Sequence, residues 1–261
     1  MVRALRIHLQ GIKTAVATRM AYRGDFFISI LIMLAMDFVI PLATVFIYQT
    51  GVTLPGWSMY EILLLQGVFL LVRGVAFPFF FGMVWNTIER VENGTFDLLL
   101  IKPCSTLRMV IVTGFDSEDL GKLLGGILLT SIALSQLPPP SMLQWVQFGI
   151  LFIMALITMF GYGMILAGLG IVWIGNFRVY DIFFALTNFA MYPSAIFSKA
   201  IQTLILTIVP IAILGSIPAS VLLDRVDWRV SLLATGSSLV FLLVSFWFWN
   251  WILKKYTSAG G

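Results

Sequence analysis

Long apolar stretches separated by short polar segments dominate this chain of 261 residues. The stretches cover residues 26–48, 59–82, 116–137, 145–172 and 230–253. Each is at least as long as the roughly 20 residues that an α-helix needs to cross the apolar core of a bilayer. The pattern predicts an all-α integral membrane protein with about six membrane-spanning helices, and these stretches are its spans 1–4 and its last span.

Residues 182–223 are apolar as well, but three prolines and Lys199 interrupt them. They form either two spans, or one span followed by a re-entrant hairpin that does not cross. Basic residues favour cytoplasmic loops, but six and seven spans both place eleven basic residues inside and three outside. The count stays open on this evidence, while both counts place the amino terminus and residues 85–112 in the cytoplasm.

Residues 3–20 predict a basic amphipathic helix that lies in the membrane interface. Five apolar residues recur in this segment at helical spacing: Leu5, Leu9, Ile12, Val16 and Met20. The alternative is a plain basic flank that sets the topology. No signal peptide is predicted, because residues 1–25 contain no apolar block of the required length.

Composition agrees with a membrane protein and excludes much chemistry. Only 11% of the residues are charged, against about 25% in soluble proteins. The net charge of +4 gathers beside the apolar segments, where it suits lipid headgroups and not nucleic acid. Cys104 and His8 are the single cysteine and histidine, so no disulfide, metal site or catalytic residue is predicted.

The sequence also lacks a phosphate-binding loop of the form G-x-x-x-x-G-K-[ST]. The nearest stretch, "GFDSEDLGKLL", has wrongly spaced glycines, Leu123 in the place of serine or threonine, and three acids that repel phosphate. If this chain takes part in ATP-driven work, another chain must bind the ATP.

One polar interruption, "RVENGTFDLLLIKP" from Arg90 to Pro103, follows span 2 on the cytoplasmic side. Asn93-Gly94 favours a left-handed cap that ends the preceding helix, and Thr95 or Asp97 offers an N-cap for a short new helix. That helix would present an apolar face of Leu98, Leu99, Leu100 and Ile101 before Pro103 ends it. The face either docks on a partner or packs against the protein's own helices or lipid.

Two ionisable residues, Asp37 and Arg73, interrupt the first two spans. At a rise of about 1.5 Å per residue, they lie about 16 Å and about 14 Å from the inner ends of their spans. An unpaired charge at that depth costs about 2.5–3.5 kcal/mol. We therefore predict an ion pair between Asp37 and Arg73, with two separate charges along a translocation pathway as the alternative.

The polar interruption resembles the cytoplasmic motif of ABC-2 type permeases, in the subgroup that includes viologen and drug exporters. The pattern E-x-G-T-x-D-x-L-L-x-x-P is carried by Glu92, Gly94, Thr95, Asp97, Leu99, Leu100 and Pro103. A later "YP…P…P" region is also similar, and it is carried by Tyr192, Pro193, Pro210 and Pro218. The resemblance covers most of the chain, although only the 90–103 motif is reasonably specific.

The resemblance implies a single permease domain over residues 1–261, in the inner (plasma) membrane, with no ATPase activity and no cofactor of its own. ATP and Mg²⁺ would be bound by two copies of an ABC ATP-binding subunit, and a second permease, identical or homologous, would pair in the membrane. Residues 92–103 would be the coupling helix to the ATPase. Transport of an amphiphilic or cationic substrate would be outward, and a re-entrant region after span 5 would favour six spans.

Two other classes of function compete with an ABC exporter. A stand-alone ion-coupled multidrug carrier would require several intramembrane acids or an inverted repeat, and only Asp37 lies deep in a span. A membrane-embedded enzyme is disfavoured by the scarcity of histidine and cysteine. Co-purification with an ATPase subunit separates the first class from the others.

Overall fold

A computed structural model describes residues 23–116, 119–173 and 178–257. Within these ranges the chain is helical and contains no strand, which confirms the prediction of an all-α membrane protein. The interfacial helix predicted for residues 3–20 lies outside the described residues.

Twelve α-helices make up most of the described chain. In order they are α1 (Arg23–Asp37), α2 (Val39–Gln49), α3 (Met59–Ala76), α4 (Met83–Glu92), α5 (Asp97–Leu100), α6 (Thr106–Thr113), α7 (Leu120–Ser135), α8 (Met142–Val172), α9 (Arg178–Thr187), α10 (Lys199–Thr203), α11 (Ser216–Leu222) and α12 (Trp228–Leu253). Two π-helical segments, Phe77–Phe81 and Leu204–Ile208, and three 3₁₀ turns, Asn188–Met191, Ser194–Ile196 and Ala212–Leu214, lie between them.

Four helical runs in the described chain are long and apolar enough to cross a membrane: Arg23–Gln49, Met59–Glu92, Met142–Val172 and Trp228–Leu253. The helix at span 3, α7, has 16 residues and is shorter than the predicted 116–137. It ends just before the run Pro138–Pro140, because proline has no N–H to continue a helix.

The helix of span 1 is interrupted at a single residue. It divides at Phe38 into α1 and α2. Pro41 explains the division, since it cannot donate a hydrogen bond to the carbonyl of Asp37 and its ring crowds that carbonyl. The bonds on either side persist, from Phe38 N to Leu34 O at 3.1 Å and from Leu42 N to Phe38 O at 2.9 Å.

Span 2 extends ten residues beyond its predicted end at 82 and forms a rod from Met59 to Glu92. Pro78 lies inside this rod, and the backbone accommodates it with a π-helical turn over Phe77–Phe81, as expected where a hydrogen bond of the α-helix is lost. The turn leaves the carbonyl of Pro78 free to accept a bond of 3.1 Å from the N–H of Asp116. The rod is therefore tied to the chain that leads into α7.

Glycines allow the rod and α7 to pack as antiparallel neighbours. A Cβ on Gly67 would lie 2.6 Å from Thr130 Oγ1, and a Cβ on Gly126 would lie 2.5 Å from the backbone nitrogen of Leu71. These approaches need residues without side chains, as in other closely packed membrane helices. α3 is almost entirely buried as a result.

The glycine-rich stretch of span 4 packs α8 against α12. Gly161 faces Ser245 and Phe241, and Gly168 faces Phe248 and Ile252. The partner residue advances along α12 as the glycine advances along α8, so the two helices run parallel. Parallel spans are separated by an odd number of crossings, which agrees with six spans. With seven spans, the last helix would be antiparallel to α8.

Two parts of the chain between α9 and α12 that are distant in sequence meet beside α3. A Cβ on Gly215 would lie 2.7 Å from the carbonyl of Ala190 and 3.2 Å from that of Leu65, and Ser194 N donates to Ser216 Oγ at 3.1 Å. In between, Ser237 Oγ donates to Leu206 O at 2.8 Å. Residues 190–216 thus form a hairpin beside α3 and α12 whose two ends are in contact. A re-entrant hairpin has the same arrangement.

Three segments meet at the end of the bundle that carries the 50–58 loop, here called the outer end. Arg225 Nη2 contacts Glu61 Oε1 at 2.6 Å, and its guanidinium lies 4.3 Å from the ring centroid of Trp57. Glu61 also forms a capping box with Ser58, accepting from its N–H at 2.7 Å. One carboxylate therefore caps α3 and also contacts the chain that follows α11.

The close contact between α3 and α7 gives a first prediction. Gly126→Ala pushes a methyl group into the backbone at Leu71 and is expected to destabilise the protein by roughly 1–3 kcal/mol. Gly236→Ala is the matched control, since this helical glycine has open space around it and alanine favours a helix. Thermal unfolding in detergent should show a lower Tm for Gly126→Ala alone. Equal Tm values for the two variants would contradict the packing argument.

Candidate functional site

The charged residues of the first two spans meet inside the bundle. Arg73 Nη1 lies 3.8 Å from Asp37 Oδ1, and both side chains are largely buried, with 16% and 10% of their surface exposed. This separation is a charge contact and too long for a hydrogen bond. Arg73 Nε and Asp37 Oδ2 are also buried without a hydrogen-bond partner. The two charges are therefore close enough to attract each other, but each keeps a buried polar atom without a hydrogen bond.

Aromatic rings share the stabilisation of Arg73. Its guanidinium carbon lies 5.0 Å from the ring centroid of Phe77, 5.5 Å from that of Phe69 and 5.9 Å from that of Phe184. Rings at such distances attract a cation through their negative faces. Phe77 lies one α-helical turn after Arg73, since its N–H donates to the Arg73 carbonyl, and it is the first residue of the π-helical turn.

Three further charged residues join this pair, and the sequence did not single them out. Lys122 forms an ion pair with Asp119, and its ammonium lies 5.3 Å from the Phe77 ring. Asp119 interacts electrostatically with Arg73 and with Asp116. The sequence signal for these residues is the charged stretch "FDSEDLGK" at the start of span 3, where acids and a lysine lie three residues or fewer apart.

These residues line a cavity of about 260 Å³. Its walls include Arg73, Lys122, Asp116, Asp119, Trp85 and Phe184. We call this group the charged cavity. Within the described residues, no group of histidine, cysteine, aspartate and glutamate is placed to hold a metal ion.

The polar interruption after α4 is a second candidate site, and we call residues 92–103 the coupling segment. Gly94 has φ of +66°, and Thr95 N donates to Arg90 O at 2.8 Å while Gly94 N donates to Val91 O at 3.2 Å. These two bonds form a Schellman motif. The left-handed cap predicted at Asn93-Gly94 is confirmed, with Gly94 as the left-handed residue.

The predicted N-cap of the short helix is wrong. Phe96 occupies the cap position of α5, and no side chain caps this helix. Thr95 Oγ1 turns back to the carbonyl of Arg90 at 3.4 Å. Phe96 is fully buried and its ring lies 5.0 Å from that of Tyr256, so tertiary packing determines where α5 begins.

The predicted face of four apolar residues divides between two environments. Leu99 is 1% exposed and belongs to the main core, whereas Leu98, Leu100 and Ile101 are 55%, 41% and 79% exposed. Only the latter three are available to a partner, because a single helical turn cannot present four consecutive residues to one surface. Glu92 and Pro103 are also exposed, and Asp97 is half-buried.

A polar network fixes the base of the coupling segment. Arg90 Nε donates to Asn86 Oδ1 at 2.7 Å, and Asn86 Nδ2 donates to the carbonyl of Thr113 at 3.1 Å. The network joins α4 to the end of α6. The coupling segment is thus held by the rod on one side and by α6 on the other.

The remaining predicted residues lie between α9 and α12. Pro193, Pro210 and Pro218 are buried, and Tyr192 lines a largely apolar cavity of about 260 Å³ together with Thr44 and Ile62. Their positions serve the packing of this region against α2 and α3. They are separate from the charged cavity, and none of them is among the residues that line it.

The pair of Asp37 and Arg73 gives a second prediction. Asp37→Asn or Arg73→Gln strands the other charge in the bundle, and breaking a buried pair costs about 3–5 kcal/mol. The double variant leaves neither charge and should recover about 1–3 kcal/mol of the summed loss. A double-mutant cycle of thermal stability in detergent measures this coupling.

The matched control is the outer pair. Glu61→Gln with Arg225→Gln removes both charges, while the amide oxygen of the introduced glutamine keeps the capping box with Ser58. A more exposed pair of this kind should couple by less than about 1 kcal/mol. Additive losses for Asp37→Asn and Arg73→Gln would show that the two residues act separately.

Comparison with known proteins agrees with this architecture. A family model described as ABC-2 family transporter protein matches residues 31–260, which is nearly the whole chain and includes both candidate sites. No curated protein matches the sequence. Permeases of this family are typically non-catalytic. The chain therefore belongs to the ABC-2 family of transporter proteins, and it is a multi-pass membrane permease of an ABC transporter that works with an ABC ATP-binding subunit.

Proposed function

We propose that this permease is an exporter subunit, which couples ATP hydrolysis by its partner to the outward movement of an amphiphilic or cationic substrate. The observation that carries the proposal is the rod Met59–Glu92. It runs from the outer end, past Arg73 and the charged cavity, to the coupling segment. In this proposal, a displacement of the coupling segment moves the same helical run that carries Arg73.

The exposed side chains of the coupling segment provide the docking surface for the ATPase. Leu98, Leu100 and Ile101 project from a turn that Phe96 and Leu99 anchor in the core. The buried residues hold the turn in place, and the exposed apolar residues are free to enter a cleft of another subunit. Apolar side chains that become buried in this way contribute most of the binding energy of an interface.

The complete transporter in this proposal contains two ATP-binding subunits, which hold the ATP and Mg²⁺, and a second permease, identical or homologous. The chain itself forms one domain with six spans and contributes no catalytic residue. The parallel course of α8 and α12 supports the six-span arrangement, as does the contact of Arg225 with Glu61. The coupling segment and the carboxyl terminus then both face the cytoplasm.

The docking surface gives a third prediction. Leu98→Asp with Ile101→Asp places two charges where the ATPase docks and should reduce the ATPase recovered with the permease by at least about tenfold. Expression and thermal stability should hold, because both side chains are exposed. Quantitative co-purification from membranes measures the result.

Two further variants serve as controls for this experiment. Ser105→Asp adds a charge at an exposed site just after the segment and should retain the ATPase. Leu99→Asp puts a charge in the core and should destabilise the permease itself, so its loss of ATPase says nothing of docking. A full complement of ATPase on the double variant would refute the docking surface.

The topology gives a fourth prediction. A reporter that is active only outside the cytoplasm should be inactive when fused after Lys255 and active when inserted at Asp224, next to the outer ion pair. Activity after Lys255 would establish an odd number of spans and would overturn the six-span proposal.

A further inference from the structure

We propose that a groove between the first turns of α8 and α12 binds one glycerophospholipid, which it holds by an ester carbonyl and by the phosphate. The groove is a cavity of about 200 Å³, and we call it the outer groove. This site does not depend on the export function. Its lining includes Gln147, Ile150 and Leu151 of α8 and Trp228, Ser231 and Leu232 of α12.

The outer groove lies at the end of the bundle where both helices begin. Another cavity is lined by Gln144 of α8 together with Glu61, and α12 starts shortly after Arg225, the partner of Glu61. Both helix starts therefore lie at the outer end. The contacts of Gly161 and Gly168 with α12 lie farther along the two parallel helices, so the groove opens beyond the region of closest packing.

The depth of the groove matches the ester groups of a lipid. α8 and α12 have 31 and 26 residues, which corresponds to about 45 Å and about 40 Å of helix. A bilayer with its headgroup layers is about 40–45 Å thick. Gln147 and Ser231 lie within about 8 Å of the starts of their helices, at the level where the headgroups meet the acyl chains. Glycerol esters occupy this level.

The hydroxyl of Ser231 has no hydrogen-bond partner in the described chain, although it is buried. The other four hydroxyl side chains of α12 each donate to a carbonyl of the preceding turn, and they are Thr235, Ser237, Ser238 and Ser245. Buried polar atoms without partners are uncommon, since each costs free energy. A rotation about the Cα–Cβ bond of Ser231 would let a carbonyl in the groove accept its bond.

Gln147 brings a second donor to the groove. Its side chain is half-buried and forms no hydrogen bond with the rest of the described chain. A carboxamide has two N–H donors and one acceptor oxygen, and its donors need acceptors where acyl chains replace water. The acceptor that a lipid offers at this depth is the ester carbonyl. Gln147 and Ser231 therefore form the polar strip of an otherwise apolar groove.

The apolar walls leave room for acyl chains on the membrane side. Ile150 and Leu232 are 50% and 60% exposed, whereas Leu151 is buried and forms the floor. A cavity of about 200 Å³ is below the range of about 300–1,000 Å³ that encloses a drug-sized ligand. It accommodates the glycerol ester part of a lipid, while the acyl chains extend along the exposed walls. Trp228 suits the mouth, since tryptophan favours the membrane interface.

The surroundings of the mouth attract a phosphate. The guanidinium carbon of Arg229 lies 5.7 Å from the ring centroid of Trp228, which lines the groove. The starts of α8 and α12 add the partial positive charge that helix N-termini carry. Asp227 is the neighbouring acid, and its Oδ1 accepts from the N–H of Arg229 at 3.4 Å as the cap of α12. A phosphate thus meets a cation and two helix starts.

The experiment titrates the delipidated full-length permease in detergent with palmitoyl-oleoyl phosphatidylglycerol and counts bound lipids by native mass spectrometry. We expect one lipid per chain to bind at least about tenfold more tightly than the others. Leu232→Trp fills the groove and should abolish this tight step. Leu243→Trp, at another exposed leucine of α12, should retain it. Absence of a tight step, or its persistence in Leu232→Trp, would overturn the proposal.

A diether analogue of the same lipid, which lacks the ester carbonyls, tests the polar strip. It should bind about 2- to 10-fold more weakly, as expected when a hydrogen bond is lost. Gln147→Leu and Ser231→Ala should weaken the diester lipid by a similar factor and leave the diether lipid unchanged. Asn250→Leu, at an exposed amide of α12, should affect neither lipid. Equal losses for both lipids would show that these residues do not contact the esters.

A diacylglycerol with the same chains lacks the phosphate and tests the mouth of the groove. It should bind about 2- to 5-fold more weakly than the phospholipid, as expected for an exposed charge contact. Arg229→Gln should remove this difference, whereas Lys199→Gln, at another exposed cation, should preserve it. Equal binding of the two lipids to the unchanged protein would exclude recognition of the phosphate.

A second copy of the chain is the alternative occupant of the outer groove. In that case Leu232→Trp would shift the native mass from dimer to monomer without a change in the number of lipids per chain, and the lipid site would be refuted. Thermal stability of each variant in the same detergent controls for folding.

Discussion

The electrostatic cost of Arg73 within an apolar bundle constrains much of this structure. Its charge lies among helices that bury almost all of α3, and no single acid satisfies it. Asp37 approaches it at the interruption of span 1, and three phenylalanine rings surround it. Lys122 and Asp119 then add a second pair against the same Phe77 ring. Pro41 and Pro78, which interrupt the helices of spans 1 and 2, thus lie one turn beyond Asp37 and close to Phe77, next to this buried guanidinium.

The rod that carries Arg73 also leads directly into the coupling segment, so one helical run joins the two candidate sites. Close glycine contacts hold the rod to α7 along one side, and the Asn86 network holds its cytoplasmic end to α6. The π-helical turn lies between these two regions, and such turns are frequent at functional positions. Along this helical run, Arg73 and the charged cavity therefore lie between the coupling segment and Glu61.

The outer end closes the opposite side of the bundle with a different kind of contact. Arg225, which follows α11, contacts Glu61 and Trp57, so the start of the rod and the chain after α11 are joined. This pair is more exposed to water than the inner one, and its strength is correspondingly lower. The described bundle therefore combines a largely buried charge cluster around Arg73 with a more exposed ion pair at the end that carries the 50–58 loop.

The sequence by itself determined the features that depend on local chemistry. Apolar length predicted an all-α membrane protein, Asn93-Gly94 predicted the end of α4, and matched depth in antiparallel spans predicted that Asp37 and Arg73 lie side by side. The motif at residues 92–103 indicated the ABC-2 family, which the family match over residues 31–260 shows. Only the tertiary structure decided that Leu99 faces the core while Ile101 faces outward, that Phe96 and not Thr95 begins α5, and that Asp116, Asp119 and Lys122 join the site. Periodicity describes which residues share a face of one helix, but the neighbour that covers this face is chosen by packing among helices distant in sequence.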